Sequence, residues 1–130
     1  MIGVLVATHG LLAKELLNSA GMLVGSGEQM GYCCVLPGQP PEEFLHQVEQ
    51  ELVALDQGEG VVALVDIAGG TPNNTLFMLS KSHHIRIVVG VNLPMVMCAT
   101  VERWDGMSID ELVQMLIQTG KNEVAEFGQG

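Results

Sequence analysis

Short apolar runs alternate with helical patterns along almost the whole chain, and this alternation restricts the folds open to it. The runs are Ile2 to Ala7, Met30 to Leu36, Val61 to Val65 and Ile85 to Val91, each bounded by Gly, Pro or polar residues. Periodicity alone does not separate such runs from buried helix, but their length and β-branched content favour strand. Between the first two, Leu12, Leu16, Ala20 and Leu23 recur at helical spacing. Pro40-Pro41-Glu42-Glu43 opens the next helix, with proline and acids in the first turn. Its apolar face is read as Leu45, Val48, Leu52 and Leu55, ending at Gly58. After the third run, Thr71 reads as an N-cap and Pro72 as the first helical residue. Ser108 and Glu111 form a capping-box pattern before Ile109, Leu112, Val113, Leu116 and Ile117.

The resulting order, β-α-β-α-β-α-β-α-α, predicts a parallel sheet with helices on both faces. The fold class is a small flavodoxin-like α/β domain of strand order 2-1-3-4, spanning residues 1–130 as one unit. The polar tail from Gly120 to Gly130 is expected to add a short edge strand over Glu123 to Phe127. Composition agrees with this. Apolar residues make up 48% and aromatics only 4%, so the core must be aliphatic, as suits buried parallel strands.

Charge excludes several classes of partner. The formal net charge is −10, with only 5 Lys and Arg, so nucleic acid and anionic membrane surfaces are disfavoured. Cys33, Cys34 and Cys98 lack metal-ligand spacing, and neighbouring strand residues point to opposite faces, so they read as small buried hydrophobes. Met1 to Ala7 is too short for a signal h-region and lacks a basic leader. The expectation is a soluble, cytoplasmic protein with no metal site and no cofactor.

In doubly wound sheets, ligands bind beyond the carboxyl ends of the strands, where the strand order reverses. For order 2-1-3-4 that point lies between strands 1 and 3, which selects Thr8-His9-Gly10 and Asp66-Ile67-Ala68-Gly69-Gly70-Thr71. A histidine and an aspartate thus emerge from adjacent strands. A carboxylate that accepts a hydrogen bond from one ring nitrogen fixes the tautomer and leaves the other nitrogen nucleophilic. Gly10 admits a large group beside His9. Gly69 and Gly70 form a tight loop, and Thr71 opens a helix whose free N–H groups favour an anion. Pro72 removes one donor, leaving Gly70, Thr71, Asn73 and Asn74. No Lys or Arg lies in either loop, and Lys14 is the nearest in sequence. A nucleophilic imidazole, an orienting carboxylate and an anion-binding loop are the parts a phosphohistidine needs, and neutral donors suit a carrier that must release its phosphoryl group. Arg86 and Arg103 are the residues that folding could bring closer. His46, on the second helix, and the adjacent His83 and His84 are read as ordinary surface histidines.

Three segments, Ala7-Thr8-His9-Gly10, Asp66-Ile67-Ala68-Gly69-Gly70-Thr71-Pro72-Asn73 and Gly90-Val91-Asn92-Leu93-Pro94-Met95, resemble the mannose-family enzyme IIA domain of the bacterial phosphoenolpyruvate-dependent sugar phosphotransferase system. The resemblance runs from residue 1 to about residue 120. It implies a phosphotransferase component, a phosphohistidine relay, in which His9 takes a phosphoryl group from the carrier HPr and delivers it to an enzyme IIB. That partner phosphorylates a sugar of the mannose/fructose/sorbose class entering through membrane components IIC and IID. It also implies a homodimer, often formed by exchange of a C-terminal strand. Asp66 is expected to hydrogen-bond His9, Thr71 to face the phosphate with Gly10, Gly69, Gly70 and Asn73, and Ala68, Asn92, Leu93 and Pro94 to line the partner-facing rim. Ala68 departs from the bulky aromatic residue common before the two glycines. A regulatory phosphohistidine module is the first alternative. The phosphotransferase subunit of a dihydroxyacetone kinase is a second, and a flavodoxin-like cofactor binder a third. The last would need a hydroxyl-rich loop and stacking aromatics, and the chain has one Trp and one Tyr.

Overall fold

A computed structural model describes residues 1–128 and contains nine elements in the expected order. They are β1 (Gly3–His9), α1 (Leu12–Val24), β2 (Met30–Val35), α2 (Pro41–Leu55), β3 (Val61–Val65), α3 (Thr71–Leu79), β4 (Ile85–Val89), α4 (Leu93–Glu102) and α5 (Ile109–Asn122). The four strands form one parallel sheet in the order β2-β1-β3-β4. Gln129 and Gly130, the last part of the predicted tail, lie outside the described residues.

Alternation along the central strands divides the core in two. Val4, Val6, Val62, Leu64 and Val88 face α1, α4 and α5. Leu5, Ala7, Cys33, Ala63 and Val65 face α2 and α3. Both sides of β1 and β3 are therefore covered, which is why these segments read as unbroken apolar runs. All three cysteines are free and buried within these layers. Burial, helped by nearby Glu51 and Cys34, pushes the Cys33 thiol up to about 12, so it stays protonated at neutral pH.

Several element edges differ from the sequence reading. β1 continues through Thr8 to His9, which pairs with Val35, so His9 is the last strand residue and not part of the following loop. β4 stops at Val89 because the N–H groups of Gly90 and Val91 both turn to the Val65 carbonyl. α1 buries Ala13 and Ala20 with Leu16 and Leu17 beside them, while Leu12 and Leu23 are exposed. α2 buries Phe44 in place of Leu45, which is only partly covered. The N-cap of α3 is Gly70, extended at φ −83° and ψ 173°, and Thr71 is already helical. The Ser108 hydroxyl caps α5 by accepting from the Glu111 N–H.

The edge strand expected over Glu123 to Phe127 does not form in this chain. The N–H groups of Glu123 and Val124 turn back to Thr119 and Lys121, closing α5, and Val124 and Phe127 then lie exposed with no strand beside them.

Arg103 is the one buried cation among the described residues. It donates from Nε to the Ala99 carbonyl (2.7 Å), from Nη1 to those of Ile2 (2.6 Å) and Gln29 (3.4 Å), and from Nη2 to that of Glu28. It thus ties the end of α4 to the beginnings of β1 and β2. Burial lowers its pKa, with Glu28 opposing, but the guanidinium remains charged. Replacing Arg103 with Met removes the buried donor to the Ala99 and Ile2 carbonyls, while that of Gln29 keeps the Val4 N–H. The expected loss is about 3 kcal/mol, read from the urea midpoint. An unchanged midpoint would show that the carbonyls find other partners.

Candidate functional site

The β1–β3 register aligns Ala7 with Val65, so Thr8-His9 and Asp66 leave the sheet together. Thr8 is fully buried, and its hydroxyl accepts from the Ala13 N–H at 2.7 Å, pinning the first turn of α1 behind His9. Asp66 Oδ2 accepts from the His9 backbone N–H at 3.0 Å and lies 2.8 Å from His9 Nδ1. Its other oxygen accepts from the Ile67 N–H at 3.1 Å.

Burial works to raise the Asp66 pKa, but these bonds from His9 and Ile67 outweigh it and hold the carboxyl below its ordinary range. Asp66 is therefore a carboxylate at neutral pH and can only accept. Nδ1 must carry the proton in this contact, and in the neutral ring Nε2 carries the lone pair. The His9 side chain is 47% exposed, whereas that of Asp66 is 15% exposed. The ring is thus half exposed while the carboxylate beside it is largely covered.

Gly70 packs against the same ring. A Cβ at this position would lie 2.6 Å from His9 Cε1 and 3.2 Å from Nε2. The N–H groups of Gly70, Thr71 and Asn73 make no hydrogen bond among the described residues, whereas that of Asn74 is taken by the Gly70 carbonyl at 2.9 Å. Thr71 is exposed at the first turn of α3. The Asn73 side chain turns to Asn74 Oδ1 (3.4 Å) and the Asn74 amide to the Gly69 carbonyl (3.0 Å). Asn74 thus has a local role that its sequence position did not reveal.

The remaining expected residues divide by role. The Gly10 N–H is used by the Val35 carbonyl at 2.9 Å, so Gly10 turns the chain and offers no free donor. Ala68 is exposed on the loop. Asn92, which precedes the partly buried Leu93 and Pro94, caps α4 through the Met95 N–H and donates to the Gly120 carbonyl. Its amide thus fastens α4 to α5.

Neither arginine joins the site. Arg103 sits at the opposite ends of the strands, about 20 Å away along a seven-residue strand. Arg86, near the start of β4, is paired with Asp110. The other histidines are also apart. His46 is exposed, His83 Nε2 contacts Glu49 Oε2 at 2.9 Å in a half-buried position, and the His84 ring covers Gly60. Among the described residues no group of His, Cys, Asp and Glu is placed to hold a metal ion. No helix among them is long and apolar enough to cross a membrane.

Comparison with known proteins gives a consistent family. The family described as "PTS system fructose IIA component" (EIIA-man) matches residues 3–117. The chain is 36% identical over 125 residues to the mannose-specific EIIAB component of Escherichia coli (strain K12), a match that takes in 95% of this chain. It spans only 38% of the length of that relative. It is 29% identical over 117 residues to the sorbose-specific EIIA component of Klebsiella pneumoniae, covering 89% of this chain and 84% of that protein. The mannose/sorbose specific IIA subunit from Enterococcus faecalis superposes with a TM-score of 0.88 at 25% identity, covering 99% and 96% of the two chains.

Two outcomes follow from the geometry. In Gly70→Ala the backbone angles suit alanine, but the new methyl overlaps the His9 ring. The fold should hold within about 1 kcal/mol while the hydrogen-bonded His9 Nδ1–H proton signal is lost. A retained signal would show that the ring has room. The lowered Asp66 pKa contributes stability that is complete above the unfolded carboxyl value of about 3.9 and is lost as pH falls through the folded value. Acid titration of unfolding free energy should therefore fall more steeply for wild type than for Asp66→Asn below about pH 4. Parallel curves would contradict the assignment.

Proposed function

The chain belongs to the EIIA-man family of phosphotransferase-system IIA components, and on that premise we propose that it accepts a phosphoryl group on His9 from phospho-HPr and passes it to an enzyme IIB. Membership alone makes it a phosphoryl-relay component of the mannose/fructose/sorbose class. The finer reading, with His9 as carrier and HPr and IIB as donor and acceptor, is supported by one contact above all. This is the 2.8 Å approach of Asp66 Oδ2 to His9 Nδ1, which holds the proton on Nδ1 and, in the neutral ring, leaves the lone pair on Nε2.

In the forward step the Nε2 lone pair attacks phosphorus. An Nε2–P bond forms as the bond from phosphorus to the donor's ring nitrogen breaks, and that electron pair stays on the donor. The imidazolium that develops on His9 keeps its Nδ1 proton against the Asp66 carboxylate. Delivery to IIB reverses the roles, with His9 as leaving group. The free N–H groups of Gly70, Thr71 and Asn73 provide neutral donors for the phosphoryl oxygens. With no Lys or Arg in either loop and neither arginine at the site, the loops themselves offer the group only neutral donors.

The surroundings favour a protein as donor and acceptor. Leu11, Leu36 and Ile67, which follow β1, β2 and β3 at the carboxyl end of the sheet, are 57%, 47% and 57% exposed. Apolar side chains exposed around a reactive group suit transient protein docking. The transported sugar, uptake through IIC and IID, and a homodimer belong to this reading through the family. The chain spans only 38% of its EIIAB relative's length, so the activity of that whole protein enters only as part of the proposal.

The test is intact mass after incubation with phosphoenolpyruvate, enzyme I and HPr, for wild type and His9→Ala. One acid-labile, alkali-stable phosphoryl group should appear on wild type alone. No gain in either protein would sink the carrier reading. Gain in both would move the site to another histidine.

A further inference from the structure

We propose that Asn74 is a positioning residue for phosphoryl transfer, fixing the Gly69–Gly70 peptide so that the Gly70 N–H is available to the phosphoryl group on His9. The inference deepens the carrier reading and rests on it.

The Asn74 side chain lies in the first turn of α3 and donates from Nδ2 to the Gly69 carbonyl at 3.0 Å. Its own Oδ1 faces the Asn73 amide at 3.4 Å, which sets which end of the Asn74 amide meets Gly69. One turn of backbone repeats the hold, since the Asn74 N–H donates to the Gly70 carbonyl at 2.9 Å. Asn74 therefore grips the two consecutive carbonyls that enter α3.

The consequence follows from peptide planarity. The Gly69–Gly70 bond is trans, so its C=O and N–H point in opposite directions. Drawing the Gly69 carbonyl toward Asn74 turns the Gly70 N–H away from it, and that N–H makes no hydrogen bond among the described residues. Gly70 is also the residue against the His9 ring, where a Cβ would come within 3.2 Å of Nε2. Gly69 has φ +78°, in the left-handed region that glycine adopts freely, so the loop has little intrinsic preference for this orientation. A side-chain clamp is what selects it.

Loss of the clamp should affect chemistry more than docking or folding, because Asn74 is exposed and its bond lies within the loop. Asn74→Ala should slow phosphoryl uptake about tenfold at saturating phospho-HPr, with half-saturation unchanged. Asn74→Asp keeps the shape but places an acceptor against the Gly69 carbonyl, so it should be no faster than the alanine variant. A wild-type rate in Asn74→Ala or Asn74→Asp would overturn the assignment.

A measurement on the unaltered protein decides the matter even where a variant unfolds. In ¹⁵N-labelled wild type, the Gly70 amide proton should move downfield on phosphorylation, and an unmoved Gly70 resonance would refute the proposal. Wild type that takes up phosphate without this shift defeats the clamp alone. Wild type that takes up none defeats the carrier reading, and the clamp with it.

Discussion

Oδ2 of Asp66 accepts from the backbone N–H of His9 and meets the ring of the same residue at Nδ1. The first bond fixes where the chain leaves β1, and the second fixes how the ring stands on it. Together they give a half-exposed strand-end histidine a defined position and a defined tautomer. The arrangement requires the carboxylate to remain ionised although it is largely covered. Burial opposes this, and the donors from His9 and Ile67 prevail. Those donors are local to the site, so the charge is sustained without any cation nearby.

The sheet makes the contact available. β1 and β3 are neighbours only because the chain crosses from β2 over β1 to the other side, and that crossing is the reversal that opens a crevice at the carboxyl ends. Both strands are buried on both faces, so the register that brings Asp66 beside His9 is held by the core. The buried guanidinium of Arg103 closes the opposite end of the molecule, joining α4 to the starts of β1 and β2. One end is a rigid polar knot, and the other is an open rim of glycines, apolar side chains and unpaired N–H groups. That division suits a carrier, which must present its reactive atom to proteins on a stable base.

The alternation of buried runs and helices was enough to read strand order and the His9–Asp66 meeting point, because continuous apolar strands and crossover rules leave few topologies. Details that rest on packing were not legible. Leu12, Leu16, Ala20 and Leu23 satisfied helical spacing as well as the true stripe, and only close approach to the sheet selects Ala13 with Ala20. Glu123 to Phe127 has strand-like residues, but the N–H groups of Glu123 and Val124 close α5, and the segment pairs with no strand among the described residues. The Thr71 N-cap reading failed by one residue because Gly70, held extended against His9, already supplies the cap backbone. Asn74 was legible only as a candidate backbone donor, since its side-chain contact is with a carbonyl five positions earlier that only the folded loop turns toward it. Asn92 showed the reverse, a motif residue whose amide is spent on joining α4 to α5.

The most direct test of this account is which ring nitrogen carries the phosphoryl group. Nitrogen–phosphorus coupling in ¹⁵N-histidine-labelled, phosphorylated protein distinguishes the two. Phosphorus on Nε2 of His9 is the expected result, with Nδ1 still protonated and hydrogen-bonded to Asp66. Phosphorus on Nδ1 would mean that the Asp66 contact is broken during transfer, and the role assigned to that contact would be wrong.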